Sequence, residues 1–244
     1  MTRRLLIPLA ALAVVLLAGC ATTQSLTSKD IVDTIPWQVP ETTNYRVLDK
    51  ANDNQDVGTL AMSIKASGQG QVLLTQAFDF PSKKFTNLAE VVASADKLVP
   101  SSSSFRIDGP NGTLDCQASY GQASVSVHRV GEDGERTDDL DVPQIAYDSW
   151  ADLFLWRTIA FTPGLDLDYT DILSCTLDRT QRLGIKLEVK DREQVTVPAG
   201  TFEAWKMTVK SGAQTQTAWY STENPHVLVK YDNGSEIFEL TSTQ

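Results

Sequence analysis

The chain has 244 residues, with 21 basic against 31 acidic side chains, a formal charge of −10 and 41% hydrophobic residues. That length accommodates one β-rich domain or two small ones. The acidic balance repels phosphate backbones and anionic headgroups, which excludes nucleic acid as a partner and makes the protein surface a poor membrane binder.

Arg3 and Arg4 precede an apolar run from Leu5 to Ala18, broken only by Pro8. A bilayer span takes about 20 apolar residues, so this shorter run fits the basic and apolar regions of an export leader. Leu17-Ala18-Gly19-Cys20 closes it and resembles the lipobox of bacterial lipoproteins. The resemblance implies cleavage before Cys20 and a diacylglycerol on its sulfur. Residues 1–19 are then a signal peptide, and Cys20 is the lipidated first residue. An ordinary cleaved signal, or a short anchoring helix with an incidental cysteine, is the alternative. Stable anchoring needs more than one acyl chain, which a diacylglycerol supplies. Ala21 rather than Asp follows the cysteine, which points to the outer membrane, facing the periplasm. Losing Arg3 and Arg4 with the leader takes the formal charge to −12.

Residues 20–42 are rich in Thr, Ser and Gln and carry Pro36 and Pro40. They read as a tether in which Trp37 is placed to dock on the domain. Residues 43–244 read as a single β-rich domain. Leu60, Met62 and Ile64 alternate with polar or small neighbours, as do Leu114, Cys116, Ala118 and Tyr120, and Leu183, Ile185, Leu187 and Val189. Period two puts one set on a buried face and the other in solvent. Asn111-Gly112, Asp133-Gly134 and Asn233-Gly234 are hairpin-turn signals. The pattern predicts roughly nine to eleven strands.

Two segments read as helices. Leu88, Val91, Val92, Ala95 and Leu98 sit near i, i+3, i+4, i+7 spacing, with Asn87 and Glu90 in capping relation and Pro100 beyond the end. Trp150, Leu153, Phe154, Trp156 and Ile159 cover most of a second helix, which starts near Ser149 and stops at Pro163-Gly164. A helix apolar on most sides is buried. The expected fold is mainly β: a curved antiparallel sheet or incomplete β-barrel with two helices packed against it.

Apart from Cys20, only Cys116 and Cys175 remain. An even pair in an oxidising compartment is a candidate disulfide; the alternative is two separate buried thiols.

"VTVPAGTFEAWKMTV" reads strand, turn, strand, with Pro198-Ala199-Gly200 at the turn. "AWYSTENPHVLVKYD" reads the same way, led by Trp219. Together with "YDSWADLFLWRTIAF" they resemble a family of uncharacterised bacterial envelope proteins, whose C-terminal half carries a Pro-Ala-Gly-Thr-Phe hairpin and then a Trp-Tyr/Phe-Ser strand. The likeness covers about residues 145–240 and more loosely the strands from 45. It implies a curved sheet akin to the incomplete barrels of lipoprotein carriers and says nothing of chemistry. The helix expected near 87–98 departs from many relatives.

Catalytic residue types are sparse. His128 and His226 are the two histidines. Either would need an activated serine and a carboxylate beside it for hydrolysis, and no Gly-x-Ser-x-Gly elbow occurs. Two scattered histidines and two inward cysteines make a poor zinc set, so no metal and no cofactor are expected. Glu132, Asp133, Glu135, Asp138, Asp139 and Asp141 cluster without EF-hand spacing and read as a solvated hairpin tip. Asp166 and Asp168 read as surface charge. Trp150, Phe154, Trp156, Trp205 and Trp219 remain, and aromatics of this kind fill cores. If the sheet curves without closing, they line an apolar groove. The expectation is therefore a non-enzymatic envelope lipoprotein that binds a lipid or acyl chain, or a protein partner. The alternatives are a hydrolase using His128 or His226, and a purely structural lipoprotein.

Overall fold

Residues 29–110, 112–175 and 180–244 are described by the computed structural model. The leader, the motif ending at Cys20 and Asn111 of the first turn signal lie outside the described residues. No helix among the described residues is long and apolar enough to cross a membrane.

Alternation runs through more of the chain than expected and builds fifteen strands among the described residues. Eight come first: β1 (Glu41–Asp49), β2 (Gln55–Ala66), β3 (Gln71–Phe80), β4 (Phe85–Ser94), β5 (Pro100–Gly109), β6 (Gly112–Tyr120), β7 (Ser124–Gly131) and β8 (Gly134–Asp141). The short β9 (Tyr147–Asp148) leads into a helical run over 149–158 that contains one α-helical turn, α1 (Asp152–Leu155). The second series follows: β10 (Asp166–Leu173), β11 (Gln181–Val197), β12 (Gly200–Ser211), β13 (Gln214–Ser221), β14 (Leu228–Asp232) and β15 (Glu236–Thr243). All fifteen form one sheet, ordered β8 to β1, then β15 to β9. Two meanders, of sequential hairpins but for the short parallel pairing of β9 with β10, thus join where β1 pairs antiparallel with β15, with Tyr45 opposite Leu240 and Val47 opposite Phe238.

The turns use the chemistry their residues suggest, with small shifts. The β7–β8 loop is Glu132-Asp133, and Gly134, at φ +106°, opens the next strand. At β14–β15 the Asn233 side-chain Oδ1 accepts from the N–H groups of Ser235 and Glu236, so the side chain shapes the turn. Pro198-Ala199 turns β11 into β12, and Gly200 takes φ +136°, which side chains rarely adopt.

The segment expected as a helix at 87–98 is strand β4 and the turn after it. Ala89, Val91 and Ala93 face inward while Leu88 is exposed. A helical i, i+3, i+4 pattern and a strand with Val91 in and Val92 out fit the same letters. Pairing with β3 on one side and β5 on the other decides for the strand. The second expected helix forms as the 149–158 run. Its cap is Asp148, whose carboxylate accepts from Trp150 N–H at 3.0 Å, rather than Ser149.

The inner face of β1 to β4 and β11 to β15 encloses the main core, into which the helical run inserts Ala151, Leu153, Phe154, Leu155 and Trp156, followed by Ile159 just past its end. Each large side chain so buried contributes about 1.5–3 kcal/mol. Gln76, inward on β3, donates to the Trp150 carbonyl and holds the run in place. The second half of the expected tether lies against the domain: Ile31, Val32 and Trp37 are buried. Asp33 and Thr34 N–H groups donate to the Thr158 carbonyl. The Arg157 guanidinium sits 5.1 Å from the Trp37 ring centroid and pairs with Glu41 at 2.6 Å.

A second cluster shows that the sheet is rolled. Phe105, Cys116, Ala118, Val125 and Val127 come from β5, β6 and β7, and they pack on Ile172 and Cys175 from the far end of the strand order. Among the described residues the two sheet edges share no ladder, and a seam of side-chain contacts joins them. Cys116 and Cys175 are bonded, with Cα atoms 5.8 Å apart. Arg129, 4% exposed, donates to the Ser174 carbonyl and the Thr180 hydroxyl and pairs with Asp138. Arg182 donates to the Asp141 carbonyl at 3.0 Å.

Candidate functional site

The roll leaves part of its interior unfilled. A half-open cavity of about 450 Å³ lies between β3, β4, the helical run and strands β10 to β15. Rings dominate its wall: Phe78, Phe80, Phe85, Trp150, Trp156, Tyr231 and Phe238, with Leu173, Leu183, Ile185 and Val209 between them. They are there because period two delivers alternate residues of each strand to the inner face. Polar groups of strand and turn ends, among them Ser211, Gln214, Asn233 and Glu236, also line it.

Two carboxyls stand on the inner wall. Asp152, from α1, accepts from the Tyr169 hydroxyl at 2.7 Å, and that oxygen accepts from Trp156 Nε1 at 2.7 Å. Asp171, from β10, is 1% exposed, and its Oδ1 has no hydrogen-bond partner. Asn87 Oδ1, on the opposite wall, has none either. Behind them Asp148 accepts from the hydroxyls of Tyr120 and Ser174 at 2.5 and 2.8 Å. Burial pushes all three carboxyls up from the ordinary range, and for Asp152 and Asp171 the neighbouring carboxyls push further. Glu236 is raised as well, by burial. No lysine, arginine or histidine is among the described residues that line the cavity.

Of the aromatics expected in an apolar groove, Trp150 and Trp156 line this cavity. Trp150 stacks on Phe105 at 4.4 Å between centroids and donates to the Cys175 carbonyl. Phe154 is core. Trp205 stacks on Phe161, away from the cavity, with the Arg192 guanidinium over it. Trp219 stands on the outer face: it pairs across the sheet with Lys206 and Lys230, whose ammonium groups lie 5.5 and 5.9 Å from its ring, and it donates to Glu193. The alternation of β13 puts Ala218 and Tyr220 inward and therefore Trp219 outward.

His128 is exposed on β7, near Thr137 at 3.2 Å and Glu135 at 3.5 Å. His226 meets the Ser221 carbonyl at 2.8 Å and packs by Phe161. Neither lines the cavity. No group of three or more His, Cys, Asp or Glu placed to hold a metal occurs among the described residues. In the acidic hairpin, Asp138 is held by Arg129 and Arg136. A cleft of about 510 Å³ lies between the tips of the β5–β6 and β7–β8 hairpins, lined by turn residues, by Phe85, Ile107 and Leu114, and by Arg129, Glu132, Glu135 and Arg136. It holds none of the unsatisfied buried oxygens. The interior cavity is the better candidate.

A family model described as "Protein of unknown function (DUF3108)" matches residues 44–241. No curated protein matches the chain. Among solved structures, a beta-barrel-like protein of domain of unknown function DUF1849 from Brucella abortus is similar with a TM-score of 0.56 at 12% identity, covering 87% of this chain and 98% of that one. That likeness concerns the fold. A candidate exported protein with a YmcC-like fold from Bacteroides fragilis is 10% identical, with 87% and 99% of the two chains covered and a TM-score of 0.37. A candidate lipoprotein from Parabacteroides distasonis is also 10% identical, with 88% and 100% covered and a TM-score of 0.33. These last two scores are too low to argue from.

Proposed function

The chain belongs to the DUF3108 family, and we propose that it is a non-enzymatic, membrane-anchored envelope lipoprotein whose rolled sheet holds an apolar ligand in its interior. The observation that carries this reading is the cavity. Its volume falls within the range of ligand pockets, about 300–1,000 Å³, and it combines a ring-lined wall with a few polar groups, as such pockets do. A core serving stability alone packs to crystal-like density and leaves no such space.

Residues 17–20 support the placement. Acylation at Cys20 anchors the chain, each buried CH₂ contributing about 0.8 kcal/mol. Ala21 favours the outer membrane, facing the periplasm. The Cys116–Cys175 bond is in keeping with an oxidising compartment. A protein partner is the second reading, favoured by Trp219 on the outer sheet face.

Native mass spectrometry of the full chain carrying Cys20→Ser tests the ligand reading. An adduct in the lipid mass range is expected, and it should vanish in Val209→Trp, which fills the cavity. Clean, ligand-free spectra after gentle extraction would count against it. Loss of membrane fractionation in the same Cys20→Ser protein tests the anchor. Ester or peptide hydrolysis that disappears on His128→Ala or His226→Ala would replace this reading with an enzymatic one.

A further inference from the structure

We infer that the cavity selects by head group, and that its ligand is an apolar body carrying a cationic amine whose N–H donors reach Asp171. This rests on the cavity being an apolar-ligand site. The wall's hydrogen-bonding inventory is lopsided. The donors on its ring-lined wall are committed: Gln76 Nε2 to the Trp150 carbonyl, Trp150 Nε1 to the Cys175 carbonyl, Trp156 Nε1 to Tyr169, and the Tyr231 hydroxyl to Gln216; Ser149, Ser211, Gln214, Gln216 and Asn233 add further polar groups to the lining. The two buried side-chain atoms left without a partner among the described residues are both acceptors, Asp171 Oδ1 and Asn87 Oδ1. A buried acceptor without a donor is costly and rare in native proteins. The ligand is therefore the part that brings the donors.

Charge narrows the class. Three carboxyls, those of Asp152, Asp171 and Glu236, line the cavity without a basic side chain among the described residues. Lys83 stands at the rim, 5.5 Å from the Phe80 ring centroid and close enough to Glu236 to lower its pKa. A carboxylate or phosphate head brings acceptors and a negative charge into an interior lined by no basic side chain among the described residues, and both are penalised there. An ammonium brings three donors and a positive charge that offsets the burial and the neighbouring carboxyls raising Asp171, so its binding favours the ionised carboxylate and pairs with it.

Calorimetric titration of the full Cys20→Ser chain with hexylamine, 1-hexanol and hexanoate reads this out. Hexylamine is expected to bind most tightly, hexanol more weakly, and hexanoate not at all. Asp171→Asn keeps the shape and removes the charge. It should weaken hexylamine by about tenfold or more and leave hexanol within about twofold. Asn87→Leu, which removes the other acceptor, should weaken hexylamine less. Near-UV circular dichroism establishes that both variants are folded. Hexanoate binding as tightly as hexylamine overturns the inference while leaving the cavity reading intact, as does hexylamine binding unchanged by Asp171→Asn. Hexanoate binding abolished by Lys83→Ala also overturns it, since the head would then sit at the rim. Absence of binding by all three compounds removes the cavity reading itself.

Discussion

The seam and the cavity both bury carboxyls against the same helical run, and they treat them differently. At the seam, Asp148 accepts from Tyr120, Ser174 and Trp150 N–H, and Ser174 also meets Ser103 at 3.2 Å. A disulfide and a buried arginine stand beside it. At the cavity, Asp171 leaves one oxygen without a donor. Satisfied polar networks rigidify, whereas an unsatisfied buried group is a standing cost unless something else meets it. The difference separates residues that hold the roll shut from residues that wait on a ligand. Substitutions at the two places should accordingly move different observables.

The largest effect is expected from Cys116→Ala combined with Cys175→Ala. The bond spans 59 residues, so chain-entropy reasoning gives a loss of about 4 kcal/mol, read from urea midpoints. A loss under about 1 kcal/mol would mean that the seam's polar contacts suffice without it. Arg129→Met comes next. It strips partners from Asp138 and from the Ser174 carbonyl and should cost about 3 kcal/mol. Because the two groups act together, Arg129→Met with Asp138→Asn should be less than additive.

Cavity substitutions should change stability less and in the opposite direction. The Asp171 carboxyl is raised by burial and by Asp152 and Asp148, so the folded protein keeps a proton that the unfolded chain loses above its ordinary value of 3.8. The folded state then binds more protons than the unfolded one, and stability falls as pH rises from about 4 toward the folded pKa. Asp171→Asn removes this dependence. Its melting temperature should exceed that of the parent at pH 8 and match it at pH 3; a lower value at pH 8 would mean that the ionised carboxylate is met by a donor. The smallest effect belongs to Asn87→Leu, expected within about 0.5 kcal/mol of the parent or on the stabilising side, since it deletes an oxygen with no partner.

Much of the sheet was readable because period two is local. Leu60, Met62 and Ile64, or Ile185, Leu187 and Val189, declare their buried face without knowledge of their neighbours. Where two periods fit one stretch, as at Leu88 to Leu98, the outcome depends on β3 and β5, which local spacing does not encode. The site was readable in part. Trp150 and Trp156 were singled out for size, but Trp219 fell on the outer face because its neighbours Ala218 and Tyr220 claim the interior. Asp171 is marked in the sequence: Leu167, Tyr169, Asp171 and Leu173 form one alternating row in "LDLDYTDIL", so an acid stands where period two calls for an apolar residue. Asp148, Arg129 and Ser174 offered none, since they meet only when the rolled edges do.

The place where β1 pairs with β15 has a consequence for how the chain assembles. Thr42 and Gln244 exchange reciprocal backbone hydrogen bonds, so the first and last strands of the domain lie side by side in the middle of the sheet. Every other ladder between long strands joins sequence neighbours and can zip as soon as its hairpin is made. The central one waits for β15, the last strand of the sheet, to be made, and until then β1 leaves the first meander with an unpaired flank.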